Sequence, residues 1–308
     1  MNIKKIFSWL ILLLMAVQFQ WSCNKDKTDT EILSAPVNEP QNDYIVVVEI
    51  ISFSGLGGCA SGFVEKANQP ITDAKLHINR VPLINDSSAT IFPNYYADTL
   101  NALSYNYFTR YQLTVEHQGK VVASGSTVMP SIPFIKNLSN PQTINVNDEL
   151  VVKWEKVEQA TALQVIVGGR IYDPVLKDSV DREFDSGLIE PNRTSITISD
   201  TLFRLPGTYV LGIVAFNGLN PGALPQNLYD EQGNYHKGYN LEGAAGLFLS
   251  AMVYPDPYGI QIVVKGSAAS EQTVVEQPIK PILKELVMKK TREMAKQILV
   301  NYHKKGIE

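Results

Sequence analysis

The chain has few of the residues that build disulfide frameworks and metal sites. Its 308 residues include two cysteines and four histidines. No CxxC or HExxH spacing occurs among them, so we predict neither a metal site nor a cofactor. We interpret the histidines as ordinary surface residues, at positions His77, His117, His236 and His303. Two cysteines can form at most one disulfide, and none if Cys23 is modified, so the fold must then be stabilised by its apolar cores.

The sequence also lacks an apolar run long enough to cross a bilayer as a helix. The N-terminal run, residues 6–17, is about 12 residues long, whereas a spanning helix needs roughly 20. The net charge of −4 is small, which argues against a nucleic-acid partner. A length of 308 residues allows two domains of ordinary size.

The N-terminus has the organisation of a signal peptide, predicted over residues 1–22. Lys4 and Lys5 precede the apolar run, and the small residue Ser22 precedes Cys23. This pattern resembles the signal of bacterial lipoproteins, and the charged residues after the cysteine resemble those of surface lipoproteins in the Bacteroidota. The resemblance implies that Cys23 becomes the first residue and carries acyl chains such as palmitate. The alternative is an ordinary cleaved signal peptide with a coincidental cysteine.

The lipoprotein resemblance also implies a location and a mode of attachment. The protein would be an outer-membrane lipoprotein that faces the periplasm or the cell surface, held in the membrane by lipid on Cys23. Residues 23–43 are polar, contain two prolines and show no apolar period, so we predict a flexible tether. Fully extended, such a segment reaches ~65 Å.

Residues 44–130 are predicted to form a first β-sandwich domain. YIVVVEIISF, KLHIN, TRYQLTVEH and KVVASGSTV are rich in β-branched residues, with apolar residues at every second position. HQGK, residues 117–120, is a candidate hairpin turn. These phrases resemble Ig-like or carboxypeptidase-regulatory-like sandwiches. The two prolines of MPSIPF, residues 129–134, predict that the sheet ends there.

Residues 135–266 are predicted to form a second β-sandwich. ELVVKW places Trp154 at the end of an alternating strand, and LFRLPGTYVLGIVAFNG follows later. Together they resemble the fibronectin type III pattern, in which a tyrosine opens a late strand and a tryptophan lies between the sheets. The matching positions are Leu205, Pro206, Gly207, Tyr209, Ala215, Asn217 and Gly218. The predicted fold class is therefore mainly β, with two β-sandwich domains and a C-terminal helix.

A long loop, residues 217–246, interrupts the second domain and is a candidate contact surface. It is far longer than an ordinary hairpin loop, and tyrosine supplies rigid, amphipathic area. The turn YPDPYG, residues 254–259, adds two tyrosines, although a plain turn is the simpler interpretation. The predicted contact residues are Tyr229, Tyr235, Tyr239, Tyr254 and Tyr258. The loop also contains three oxygen donors, Asp230, Glu231 and Asn234. They lack the regular spacing of a calcium loop, which favours a hairpin tip over a cation site.

Residues 267–308 are predicted to be a linker followed by a basic amphipathic helix. Residues 280–308 contain eight Lys or Arg and three Glu. The apolar residues of one helical face are Leu283, Val287, Met294 and Ile298. We interpret this face as packing on the second domain while the lysines face water. The alternatives are docking to a partner, to anionic lipid or to an acidic chain.

No catalytic motif is present, so we predict a noncatalytic protein. Cys59 lies in GLGGCASG, but no neighbouring residue supplies a base, and the glycines are typical of a β-bulge or a loop. The sequence favours a lipid-anchored binding, adhesion or assembly module with a protein or glycan partner. Two alternatives remain open, namely a surface hydrolase acting on polysaccharide or peptide and a structural subunit of an envelope complex.

Overall fold

The computed structural model describes residues 44–54, 57–67, 69–85, 95–221, 239–266, 283–287 and 290. The predicted signal peptide and tether, including Cys23, lie outside them. The described residues are mainly β and form seventeen strands. In chain order these are β1 (Tyr44–Phe53), β2 (Gly57–Lys66), β3 (Gln69–Pro70), β4 (Lys75–Ile78), β5 (Val81–Asn85), β6 (Tyr96–Ala97), β7 (Arg110–His117), β8 (Lys120–Val128), β9 (Gln142–Asn145), β10 (Leu150–Lys153), β11 (Ala162–Asp173), β12 (Asp178–Asp185), β13 (Ser195–Ile198), β14 (Gly207–Asn217), β15 (Leu241–Glu242), β16 (Ala245–Tyr254) and β17 (Ile260–Lys265).

The C-terminal half is a β-sandwich with the strand order of a fibronectin type III domain. One sheet contains the antiparallel strands β10 and β13, extended by a bridge between Ile135 and Trp154. The other contains β12, β11, β14 and β17, and β9 runs parallel to β17. Trp154 is buried in the core that both sheets enclose. The structure confirms the predicted fibronectin type III-like fold.

Tyr209 lies at the start of the late strand β14, as the fibronectin type III pattern predicts. Its hydroxyl donates towards the carbonyl oxygens of Leu202 and Leu205, at 3.2 Å from each. Burial raises the pKa of the phenol to about 12, with Arg182 acting in the opposite direction, so the hydroxyl keeps its proton. The hydrogen bonds hold the start of β14 against the preceding 3₁₀ turn, which spans Asp200–Phe203.

The N-terminal half also encloses its core between strands. Strands β4, β7 and β8 direct their apolar side chains towards those of β1 and β2. The predicted HQGK turn joins β7 to β8, with positive φ at Gln118 (52°) and Gly119 (75°) as a two-residue hairpin requires. Strand β8 ends at Val128, immediately before the predicted proline boundary.

The two halves share one hydrogen-bonded sheet. Strand β1 pairs in parallel with β16 along residues 45–53, and β16 pairs on its other side with β14. Most residues of β1 and β16 are buried on both faces, which explains their nearly continuous apolar sequences. The expectation of two separate sandwiches therefore misses a connection, because strands from both predicted domains belong to the same sheet and line the same core.

The described part of the C-terminal segment packs on the outer face of the shared sheet. Residues 283–287 and 290 are helical, whereas Met294 and Ile298 lie beyond the described residues. Leu283 and Val287 are almost fully buried in a second core formed by β1, β14 and β16. Gly212 leaves the space that the Leu283 side chain occupies. For the residues described, the structure supports the interpretation that the apolar face packs on the body.

Lys290 departs from the expectation that the lysines of this segment face water. Its ammonium group lies 2.6 Å from Glu183 Oε1 and 3.2 Å from Asp185 Oδ2, and its side chain is only 18% exposed. Both carboxylates belong to β12, at the edge of the large sheet. Burial alone lowers the pKa of Lys290, but the hydrogen bonds and negative charges of the two carboxylates together outweigh burial and raise it. The lysine therefore ties the segment to the sheet.

We expect a cavity in the N-terminal half to lower the free energy of unfolding of both halves by the same amount, because they share one sheet. From residue 24 onward Trp154 is the only tryptophan, so its fluorescence reports unfolding of the C-terminal half. Ile50→Ala on β1 removes a fully buried side chain and should lower the free energy of unfolding read from Trp154 by about 3 kcal/mol.

The control is Ile84→Ala in the same half, because Ile84 is 43% exposed and should change stability by less than about 0.5 kcal/mol. Urea titration of both variants checks the prediction. A Trp154 transition that does not move in Ile50→Ala would show that the halves unfold independently.

Candidate functional site

The predicted tyrosine surface is only partly assembled in the described residues. Tyr239 is half-buried and bridges to Leu247, and burial raises the pKa of its phenol. Tyr254 is also half-buried, with its ring 5.2 Å from that of Phe134. Tyr258 is 42% exposed. Among the predicted contact residues that the structure describes, Tyr258 is thus the most accessible.

The YPDPYG turn that carries Tyr258 is held by its aspartate. Asp256 Oδ1 accepts hydrogen bonds from the backbone N–H groups of Tyr258 (2.7 Å) and Gly259 (2.9 Å). The predicted turn is therefore confirmed. The remaining predicted contact residues, Tyr229 and Tyr235, lie outside the described part of the chain, as do the loop's oxygen donors Asp230, Glu231 and Asn234.

A polar network joins the two halves beside the start of the long loop. Thr127 Oγ1 donates to Asn217 Oδ1 (3.1 Å) and lies 3.0 Å from Ser250 Oγ. Asn240 Nδ2 donates to the same oxygen of Asn217 (2.9 Å). Thr127 and Ser250 are buried, so these hydrogen bonds are made away from water, where an unpaired group would be costly. The network fixes the end of β8 against β14 and β16.

An open depression lies next to this network. Its volume is about 340 Å³, and it is lined by Phe108, Arg110, Val128, Glu158 and Gln159. Arg110 opens β7 and Val128 closes β8, and the two residues face each other across the strand pair. The depression is therefore bounded by the N-terminal half on one side and by a loop of the C-terminal half on the other. We call it the Phe108 depression.

The loop that carries Glu158 and Gln159 is fixed to the rest of the protein by hydrogen bonds. Ser131 N donates to the carbonyl oxygen of Glu158 (3.0 Å), and Glu158 N donates to Ser131 Oγ (2.9 Å). Asn217 Nδ2 donates to the carbonyl oxygen of Gln159 (2.7 Å). The walls of the Phe108 depression are thus held in place by Ser131, which lies in the connector between the halves (residues 129–134), and by the polar network.

Two residues that line the depression have an unfavourable backbone conformation. Phe108 has φ +62° and Gln159 has φ +61°. Phe108 is the third residue of a turn closed by a hydrogen bond from Thr109 N to the carbonyl oxygen of Asn106 (3.2 Å), a position where glycine or asparagine is usual. The Phe108 ring is 46% exposed, so burial of the ring does not offset the strain.

The aromatic ring of Phe108 is supported by its neighbour. Tyr107 and Phe108 pack edge to face, with ring centroids 5.4 Å apart, and Tyr107 is itself 54% exposed. The sequence pattern did not single out this pair. An aromatic residue does not signal a positive φ, and its exposure depends on strands that are distant in the sequence.

Cys59 is a protonated thiol beside a buried carboxylate. It lies within β2, a regular strand, so the expectation of a bulge or loop is wrong for residues 57–62. Glu49 Oε1 accepts hydrogen bonds from Ser61 Oγ (3.0 Å) and Tyr95 OH (3.3 Å). Burial raises the pKa of the Cys59 thiol to about 12, Glu49 raises it further, and Lys284 opposes them. These surroundings suppress the thiolate that a nucleophile needs.

The expectation of surface histidines is wrong for His117. This residue ends β7, is only 6% exposed, and its Nδ1 lies 2.7 Å from Tyr44 OH. Its Nε2 lies 3.3 Å from Asp73 Oδ1. His77 is half-buried on β4, and His236 and His303 lie outside the described residues. His117 therefore connects the end of β7 to Tyr44, the first residue of β1.

Comparisons with known proteins add little to this description. No protein-family model matches the chain, and no curated protein matches it. Among the solved structures, the crystal structure of the FN1–FN3 domains of chicken CNTN1 matches with 12% sequence identity and a TM-score of 0.26. The match covers 59% of this chain and 63% of that one, so this chain spans less than two thirds of the matched structure.

None of the helices in the described residues combines the length and apolar character needed to cross a membrane. Within the same residues, no cluster of three or more His, Cys, Asp or Glu side chains is arranged to bind a metal ion.

We expect the Cys59 thiol to react slowly with iodoacetamide in the folded protein. In a Cys23→Ala background Cys59 is the only thiol, and at pH 8.5 its alkylation should be at least roughly 100-fold slower than in urea-unfolded protein. Glu49→Gln removes a negative charge, which lowers the thiol pKa and speeds the reaction.

Lys284→Ala serves as the opposing control, because loss of its positive charge raises the thiol pKa and slows the reaction further. Mass spectrometry of timed samples measures the rates. Equal rates in folded and unfolded protein would contradict the prediction, and equal rates in the two charge variants would show that access alone limits the reaction.

Proposed function

We propose that the protein is a lipid-anchored lipoprotein of the bacterial outer membrane that acts as a noncatalytic binding module. Its lipid would be attached to Cys23, and residues 23–43 would act as the tether. The observation that carries the binding role is the Phe108 depression, which combines an accessible aromatic ring with a cation, an acid and an amide. Such a combination holds a ligand through both apolar contact and hydrogen bonds.

The way in which the tether meets the fold supports this arrangement. The tether would enter at Tyr44, which is buried at 2% exposure and begins the central strand β1. Strand β1 pairs with β16 on one side and with β2 on the other. A pulling force on the tether would therefore act on both strand pairings at once. A leash of up to ~65 Å would let the Phe108 depression reach ligands well beyond the lipid headgroups.

The hydrogen-bonded walls of the Phe108 depression support binding rather than a passive role. Its walls are held by the connector and by the buried polar network, so little ordering would be needed when a ligand binds. Ligand pockets occur preferentially where two parts of a fold meet, and the Phe108 depression lies where the two halves meet. The proposed ligand belongs to one of the two classes that the sequence suggested, glycans or proteins.

Substitution of Cys23 tests the anchor. In cells labelled with an alkyne analogue of palmitate, the parent should carry the label and sediment with the outer membrane. Cys23→Ala should lose the label and no longer sediment with the outer membrane, because the lipid that would hold the chain there is absent.

The matched control is Cys59→Ala, which removes the other cysteine of the chain and should change neither labelling nor fractionation. In-gel fluorescence and immunoblots of sucrose-gradient fractions give both readouts. Membrane association of Cys23→Ala at the parental level, together with an unlabelled parent, would contradict the proposed anchor.

A further inference from the structure

We propose that the Phe108 depression is a carbohydrate-binding site. This inference rests on the proposed binding function and names the class of ligand. A pyranose ring offers an apolar face of C–H groups and a rim of hydroxyl groups that each donate and accept hydrogen bonds. The residues that line the depression provide a partner for both features.

The apolar face of a sugar ring is matched by the Phe108 ring. This ring is 46% exposed and rests edge to face on Tyr107. Stacking a sugar on it would remove two apolar surfaces from water and would use the attraction between C–H groups and the electron-rich face of the ring. The pairing with Tyr107 restricts the orientation of the Phe108 ring, so less freedom is lost on binding.

The hydroxyl rim is matched by three polar side chains. Arg110 supplies donors, Glu158 supplies acceptors, and Gln159 supplies both. Among the described residues, these three side chains make no hydrogen bond or ion pair with the protein. A pair of neighbouring sugar hydroxyls can bind a guanidinium or a carboxylate through two hydrogen bonds, and such charge-assisted bonds are the stronger kind.

The surrounding backbone favours a sugar over an extended peptide. A peptide that adds to a sheet needs free N–H and C=O groups at a strand edge. Here Arg110 and Val128 lie on paired strands, and their carbonyl oxygens accept further hydrogen bonds from Asn79 Nδ2 (2.9 Å) and Ser250 Oγ (2.9 Å). Met129 is bonded through both its N–H and its C=O group. A ligand in the Phe108 depression would therefore be recognised mainly by side chains.

Native affinity electrophoresis with soluble polysaccharides tests the proposal. The detergent-solubilised full-length lipoprotein would be run in gels that contain amylopectin, laminarin, xylan, galactomannan or pectin. We expect at least one polysaccharide to retard the parent. Phe108→Gly should weaken that retardation at least tenfold, because the stacking surface is lost. Its melting temperature should stay equal or rise, because glycine accepts the positive φ.

Two further variants locate the site. Glu158→Gln keeps the shape of the depression and should weaken binding severalfold through the loss of charge-assisted hydrogen bonds. Phe134→Ala is the matched control, because Phe134 is a comparably exposed phenylalanine (49%) that does not line the depression, and it should bind like the parent.

Each remaining outcome overturns a different claim. Loss of binding in Tyr258→Ala with full binding in Phe108→Gly would place the ligand at the YPDPYG turn, which overturns this inference and leaves the proposed binding function standing. A parent that no polysaccharide retards overturns the carbohydrate assignment. Capture of a protein from envelope extracts by parent and Phe108→Gly alike would then assign binding to another surface. Shortening of the polysaccharide during incubation would overturn the noncatalytic function itself.

Discussion

The parallel pairing of β1 with β16 is the constraint on which the rest of the structure depends. It joins strands that lie about 200 residues apart in the sequence, from residues 45–53 to residues 245–253. Because each strand contributes side chains to both cores, the pairing places one core on each face of a single sheet. Closing so long a loop costs entropy, which the burial of two apolar faces offsets. Leu283 and Val287 are then buried against one face of that sheet.

The position of the Phe108 depression follows from that pairing. Once β16 lies between β1 and β14, Ser250 comes within hydrogen-bonding distance of Thr127 on β8, and Asn217 completes the network. Buried polar groups must be paired, so this arrangement specifies one way in which the halves meet. The loop carrying Glu158 and Gln159 is thereby held opposite Phe108. A candidate binding site is thus created by contacts between the halves.

Features set by neighbouring residues were predictable. Local geometry determines the HQGK hairpin, the strand break before Pro130, the hydrogen-bonded Tyr209 at the start of β14 and the YPDPYG turn. Features that depend on distant partners were not predictable. His117 follows a strand pattern that gives no sign of its contacts with Tyr44 and Asp73. The exposure of Phe108 and its backbone conformation depend in the same way on the distant residues around its turn.

The amino-acid sequence by itself determined the class of the fold, because alternating apolar residues and turn residues act over a few positions and specify strands and hairpins. It also carried the signal that predicts a lipid at Cys23, since that signal is a linear pattern. Only the tertiary structure decided which strands pair across the halves, which polar side chains are buried together, and where an aromatic ring remains accessible. These outcomes depend on the summed burial and hydrogen bonding of residues far apart in the chain, which no local pattern encodes.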